Sequence, residues 1–166
     1  MSKITFKGNP VNTKGVILAV GLNAPDFKLV KTDLSEMSLM SIGKKKKILN
    51  IFPSLDTPTC AISVRRFNKE ATDLENVVVL NISADLPFAQ KRFCGVEGIN
   101  NSVTLSTFRS SFAKDYNLEI IDSPLAGLCS RVIMILDENN KVLYTEQVLE
   151  ITDEPNYEKA LSSLKC

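Results

Sequence analysis

Apolar positions along the chain change period several times, and each change marks an element. Ile4 and Phe6 alternate with polar neighbours, Gly8-Asn9-Pro10 signals a turn and Val11 opens a second extended stretch. This predicts a short N-terminal β-hairpin that decorates the fold. Gly21 to Asp26, with Ala24-Pro25, reads as a loop, followed by an extended Phe27 to Lys31 and a short strand near Met37 to Leu39, both as edge elements. Ile48 to Phe52 and Val77 to Ser83 are apolar enough for strands of a sheet covered on both faces. Between them Cys60, Val64, Phe67, Ala71 and Leu74 recur at steps of four, three, four and three, with Arg65, Arg66, Lys69 and Glu70 interleaved. That is an amphipathic helix reaching about Leu74, with Cys60 on its buried side. The unit predicts a right-handed parallel βαβ crossover.

Farther on, Asp85 can cap a helix through Phe88, Ala89 and Phe93, with Pro87 in its first turn, Gly95 as its stop and Cys94 at or near its end. Val103 to Ser106 suits a short strand, and Phe108, Phe112 and Tyr116 share one face of a helix over 108–116. After a loop from Asn117 to Ser130, Arg131 opens Val132 to Leu136, which turns through Glu138 to Lys141 into Val142 to Val148. A final helix starts in Thr152 to Pro155 and carries Tyr157, Ala160, Leu161 and Leu164 on one face. A parallel βαβ half followed by an antiparallel ββα half is an α/β, thioredoxin-like fold. No repeat or linker divides residues 1–166, so one domain is expected.

The stretch Pro53-Ser54-Leu55-Asp56-Thr57-Pro58-Thr59-Cys60 joins the first core strand to its helix. Thr57 suits the N-cap and Pro58 the first helical position, which puts Cys60 in the first turn. N–H groups there lack intrahelical partners and the helix dipole is positive, so a thiolate is favoured and the thiol pKa is expected to fall.

Composition narrows the chemistry. The chain contains no histidine, which removes Ser-His-Asp and Cys-His catalysis and His-ligated zinc. A reactive cysteine must then be activated by helix geometry and by Arg or Lys. Twenty Lys and Arg against 19 Asp and Glu leave a formal charge of +1, no global field for nucleic acid or an anionic membrane. The one charge block, Lys44 to Lys47, reads as a solvated turn. Met1 to Gly8 has no apolar h-region and no run approaches a membrane span, so a cytoplasmic protein with reduced or cycling thiols is expected. Neither a Gly-x-Gly-x-x-Gly nor a Walker-type loop supports a nucleotide cofactor, and no cofactor or metal is expected.

The pattern Pro53-x-x-x-Thr57-x-x-Cys60 resembles the peroxidatic motif of the peroxiredoxins. Asn50 to Ser54, Ile82 to Gln90, Arg92 to Gly95 and Thr104 to Arg109 resemble segments of the bacterial thiol peroxidase subfamily, and the likeness runs from about Lys3 to the C-terminus. The resemblance implies a peroxidase acting on hydrogen peroxide and organic hydroperoxides. Cys60 would be the peroxidatic thiolate that becomes sulfenic acid, and Cys94 the resolving thiol that closes an intramolecular disulfide. It further implies Pro53 and Thr57 at the substrate pocket, Arg131 beside the sulfur, thioredoxin as reductant and a homodimer. Position independently suits Cys94 to the second role, because a helix C-terminus disfavours a thiolate.

Ionisation alone is too small an effect. Lowering a thiol pKa from about 8.5 to about 6 raises the thiolate fraction at neutral pH roughly 30-fold, but reduced nucleophilicity takes back roughly tenfold. Donors toward the peroxide oxygens must do the rest, which is the role expected of Thr57, Arg131 and the backbone near Cys60. Cys129 reads as packing, although a second resolving thiol is conceivable there, and Cys166 as an exposed bystander. Thr59 stands where related chains usually have an apolar residue, a change at the pocket lip. The alternative is a thioredoxin-fold thiol-disulfide oxidoreductase or redox sensor, since Cys60-Ala61-Ile62-Ser63 is formally a Cys-x-x-Ser as in monothiol glutaredoxins. Those proteins carry a proline before the antiparallel strand where this chain has Arg131. A third reading, an interaction domain without catalysis, leaves Thr57, Cys60 and Arg131 converging without purpose.

Overall fold

The computed structural model describes residues 3–165. Cys166, expected to be a bystander, lies outside them, as do Met1 and Ser2. The strands are β1 (Lys3–Phe6), β2 (Asn9–Asn12), β3 (Lys28–Lys31), β4 (Glu36–Ser38), β5 (Lys46–Ile51), β6 (Val77–Ser83), β7 (Val103–Ser106), β8 (Val132–Leu136) and β9 (Val142–Gln147). The helices are α1 (Pro58–Ala71), α2 (Pro87–Glu97), α3 (Phe112–Asp115) and α4 (Tyr157–Ser162). A seven-stranded sheet runs in the order β4-β3-β7-β6-β5-β8-β9. Its centre, β5, β6 and β7, is parallel, whereas β8 and β9 are antiparallel, which is the expected βαβ and ββα arrangement.

Strand alternation sorts the core into two layers. Leu49, Ile51, Leu80, Ile82, Val132 and Met134 face a cluster with Phe27, Phe112 and Tyr116, while Ile48, Val79, Ile133 and Ile135 face Phe67 of α1 and Tyr157 and Ala160 of α4. Among the buried polar residues of the strands are Asn50 and Asn81, register partners whose side chains hydrogen-bond at 3.1 Å beneath α1.

Element ends differ from the sequence reading for local reasons. α1 stops at Ala71 rather than Leu74, and Asn76 takes a left-handed φ of 57° to turn into β6. α2 passes through Gly95 and ends at Gly98, which adopts φ 67° and donates to the Cys94 carbonyl; Cys94 therefore lies inside the helix. The helix expected over 108–116 is only Phe112–Asp115, because Arg109 holds φ 57°. α4 starts after Asn156, whose side chain accepts from the Lys159 N–H, and not within Thr152 to Pro155. Lys47 is not solvated: it is fully buried, its ammonium donates to the Gly43 carbonyl and Asn140 Oδ1, and burial pushes its pKa down.

The N-terminal hairpin is a working part of the fold, not a decoration. Ile4 and Val11 pack with Ile120 and Ile151, and the Glu150 carboxylate accepts from the Thr5 hydroxyl and the N–H groups of Lys7 and Gly8. The same carboxylate accepts from the Thr152 N–H and hydroxyl. Bonds from Thr152 and Gly8 hold Glu150 down to a pKa of about 2.

Candidate active site

β5 delivers the chain to the C-terminal edge of the sheet, where residues 52–57 turn into α1. Thr57 is extended at φ −104°, ψ 144°, Pro58 occupies the first helical position, and the first intrahelical bond runs from the Ala61 N–H to the Thr57 carbonyl. The N–H groups of Thr59 and Cys60 thus precede the helical ladder. Thr57 holds the N-cap position but its side chain does not cap, contrary to expectation. Its hydroxyl donates to the Ser54 carbonyl at 2.9 Å, which spends the proton and leaves the oxygen lone pairs as acceptors.

Cys60 is fully buried with Phe52, Leu55 and Val64, and Phe93 of α2 packs against this group. Arg131, at the mouth of β8, donates from Nη2 to Cys60 Sγ at 3.3 Å. Its Nε donates to the Ile151 carbonyl at 2.8 Å, which orients the guanidinium. Arg131 is 2% exposed, its Nη1 is buried without a partner, and no carboxylate pairs with it among the ion pairs of the described residues. A buried guanidinium without a carboxylate finds its counter-charge in the sulfur when that is ionised. At 3.3 Å and an effective dielectric of about 20, the attraction between unit charges is about 5 kcal/mol.

A cleft of about 230 Å³ reaches Arg131 of this pair, walled also by Phe6, Pro53, Thr57, Leu125, Leu128 and Ile151, while Cys60 itself lies buried behind that wall. The hairpin contributes Phe6 to it, and Glu150 anchors that hairpin through Lys7 and Gly8. Thr59 donates from its hydroxyl to the Thr152 carbonyl at 2.7 Å and so ties α1 to the lip. A larger, more open depression of about 440 Å³ lies around Arg66, Glu146 and Glu154. It holds no unpartnered buried donor, whereas Arg131, with its free Nη1, stands in the wall of the smaller cleft, which is therefore the candidate site. Among the described residues no group of three His, Cys, Asp or Glu could hold a metal ion.

Cys94 is half-buried on α2, 3.3 Å from Thr104 Oγ1. Burial raises its pKa and the Thr104 hydroxyl partly offsets that. The direction agrees with expectation, but desolvation rather than the helix end is the cause. Both cysteines are free thiols with separate partners, Arg131 for one and Thr104 for the other. Cys129 is fully buried in the larger core cluster and pushed up to about 12 by that burial, in keeping with packing. Asp85, expected to cap α2, does not: Leu86 is the N-cap, and the Asp85 carboxylate accepts from the Ser54 hydroxyl and the Leu55 N–H. An Asp two residues before a proline looks like a cap in one dimension, and only the neighbouring turn reveals its other use.

Comparison with known proteins agrees with this geometry. The redoxin family pattern matches residues 19–161. A thiol peroxidase from Corynebacterium glutamicum is 49% identical over 164 residues, covering 99% of each chain. The crystal structure of a peroxiredoxin-like protein from Aquifex aeolicus superposes with a TM-score of 0.93 at 38% identity, covering 98% of this chain and 95% of that one. A thiol peroxidase from Chromobacterium violaceum shares the fold, with a TM-score of 0.89 at 24% identity and coverage of 98% and 95%. The chain belongs to the redoxin family, among the bacterial thiol peroxidases of the peroxiredoxins.

Proposed function

We propose that this protein is a thiol-dependent peroxidase in which Cys60 attacks the substrate and Cys94 resolves the product. The observation that carries the reading is the buried Arg131 guanidinium, with one nitrogen on Cys60 Sγ and another unpartnered. The first favours the ionised sulfur; the second is a free donor for a peroxide oxygen. Thr57 Oγ, its proton already given to Ser54, accepts from the peroxide O–H. The thiolate then takes one oxygen, the O–O bond breaks, and the departing oxygen leaves as water or an alcohol after gaining a proton. The charge developing on that oxygen meets donors already in place. Apolar Phe6, Leu125, Leu128 and Ile151 suit the alkyl group of an organic hydroperoxide, and the cleft admits hydrogen peroxide as well.

Cys60 sulfenic acid condenses with the Cys94 thiol to a disulfide and water, and thioredoxin reduces that disulfide. Motif likeness to the thiol peroxidases supports thioredoxin and a homodimer, with the whole chain acting as one domain. No helix among the described residues is long and apolar enough to cross a membrane, and we assign the protein to the cytoplasm. The test is peroxide consumption with thioredoxin as reductant. Cys60→Ser should abolish turnover, whereas Cys94→Ser should react once and accumulate a dimedone-reactive sulfenic acid. A non-reducing gel of oxidised protein should show no Cys60–Cys94 crosslinked dimers. Parent-rate consumption by Cys60→Ser would overturn the assignment.

A further inference from the structure

Two turns lie side by side at the C-terminal edge of the sheet, because Ile51 and Ile82 are register partners on β5 and β6. One leads to Cys60, the other into the helix that bears Cys94. Their common point is the Asp85 carboxylate. Oδ1 accepts from the Ser54 hydroxyl at 2.6 Å; Oδ2 accepts from the Leu55 N–H at 2.8 Å and the Ser83 hydroxyl at 2.7 Å. Ser54, held in this way, accepts through its carbonyl from the Thr57 N–H and hydroxyl, and through its Oγ from the Asp56 N–H. On the other side, Ser83 Oγ accepts from Nε2 of the fully buried Gln90 of α2, and the Asp85 carbonyl accepts from the Ser106 hydroxyl. Three neutral donors hold the charge, and no cation pairs with Asp85 among the described ion pairs. A carboxylate opposes a thiolate nearby, so its contribution to this chemistry is positional.

We propose that Asp85 is a positioning residue, a latch joining the Cys60 turn to the Cys94 helix, and that it governs whether oxidised Cys60 proceeds to the disulfide or to overoxidation. The inference rests on the peroxidase reading above. In the latched form Cys60 faces Arg131 and Cys94 faces Thr104, yet a disulfide requires Cα atoms within about 7 Å and suitably aimed side chains. Releasing the Cys60 turn from its seat breaks the Ser54 and Leu55 bonds to Asp85. Once it has moved, the sulfenic acid and the Cys94 thiol condense to a disulfide and release water. While the latch holds, a second hydroperoxide instead transfers an oxygen to the sulfenic sulfur, leaving sulfinic acid and an alcohol or water. The same latch keeps Cys60, Thr57 and Arg131 assembled for the first oxidation. Weakening it therefore moves the two steps in opposite directions.

Asp85→Asn is close in shape but turns one acceptor into a donor facing other donors. Ser54→Ala removes a single arm and leaves the Leu55 bond, and it stands in if Asp85→Asn does not fold. Each should slow the first oxidation a few-fold in stopped-flow, speed disulfide formation on the order of tenfold, and raise by a similar factor the peroxide concentration that converts half of Cys60 to sulfinic acid by mass spectrometry. Ile135→Val, in the other core layer, lowers stability without touching the latch and should move none of the three. Variants that partition like the parent, or that form the disulfide more slowly, overturn the latch. A parent protein that forms no Cys60 sulfenic acid overturns the peroxidase reading, and the latch with it.

Discussion

Replacing Arg131 by Met keeps most of its volume and removes every donor. Three distinct losses follow: the contact to Cys60 Sγ at 3.3 Å, the bond to the Ile151 carbonyl at 2.8 Å, and the free Nη1. The first removes the cation beside the sulfur, an attraction of up to about 5 kcal/mol between unit charges at an effective dielectric of about 20. The third bears on the transition state, where loss of a single well-placed donor costs roughly 10²- to 10³-fold in rate. Peroxide oxidation of Cys60, followed by stopped-flow across pH, separates them. Rates compared at the high-pH plateau isolate the loss of the donor, so the variant should remain about 10²-fold slower there. Arg131→Lys keeps a charge but not a planar fork that can reach sulfur, carbonyl and peroxide together, and should fall between the two. A plateau equal to that of the parent would show that the guanidinium serves ionisation alone, refuting the assignment of Nη1 to the peroxide.

Thr57→Val should lose about tenfold or more in Cys60 oxidation through the missing acceptor, while Thr57→Ser retains activity; the stability cost, about 1 kcal/mol in denaturant, comes from the bond to the Ser54 carbonyl and not from a cap. Glu150, lowered from 4.5 to about 2 by the bonds it accepts, contributes stability that is present above about pH 4.5 and lost as pH falls toward about 2. Amide exchange of residues 3–12 should rise across that window, and Glu150→Gln should remove the transition; a hairpin still protected near pH 2 would count against the anchor. Cys129→Ala should cost about 1–2 kcal/mol in denaturant and leave peroxide turnover unchanged, as befits packing. Loss of turnover in that variant would reopen a redox role for it.

What could be read in one dimension was whatever depends on neighbours along the chain. Period-two and helical spacing located β5, α1, β6, β8 and β9 to within a few residues, and Thr57-Pro58 placed Cys60 in the first turn of α1. Arg131 and Cys94 came from motif likeness, and the structure puts Arg131 on the Cys60 sulfur while giving Cys94 a separate partner in Thr104. Helix ends were less legible, because they turn on single backbone conformations: Gly98 rather than Gly95 ends α2, and Arg109 at φ 57° removes half of the helix expected before Tyr116.

Side-chain partners across sequence distance were the other blind spot. Thr57 and Asp85 both have the residue type of a helix cap near a helix start, yet each bonds to Ser54 instead, by a carbonyl in one case and a hydroxyl in the other. Lys47 belongs to a basic run that would be solvated in isolation, but strand β5 carries it under the turn at Asn140. Glu150 lies 142 residues from Gly8 and converts an apparent ornament into a cleft wall. Local propensity and periodicity determined the α/β order of elements and the placement of a reactive cysteine at a helix start, because those rest on interactions within a few residues. Only the tertiary structure decided where the Thr57 hydroxyl bonds, which carboxylate tethers and which arginine nitrogen stays free, because a polar side chain takes the partner that burial leaves within about 3 Å, wherever that partner lies in the chain.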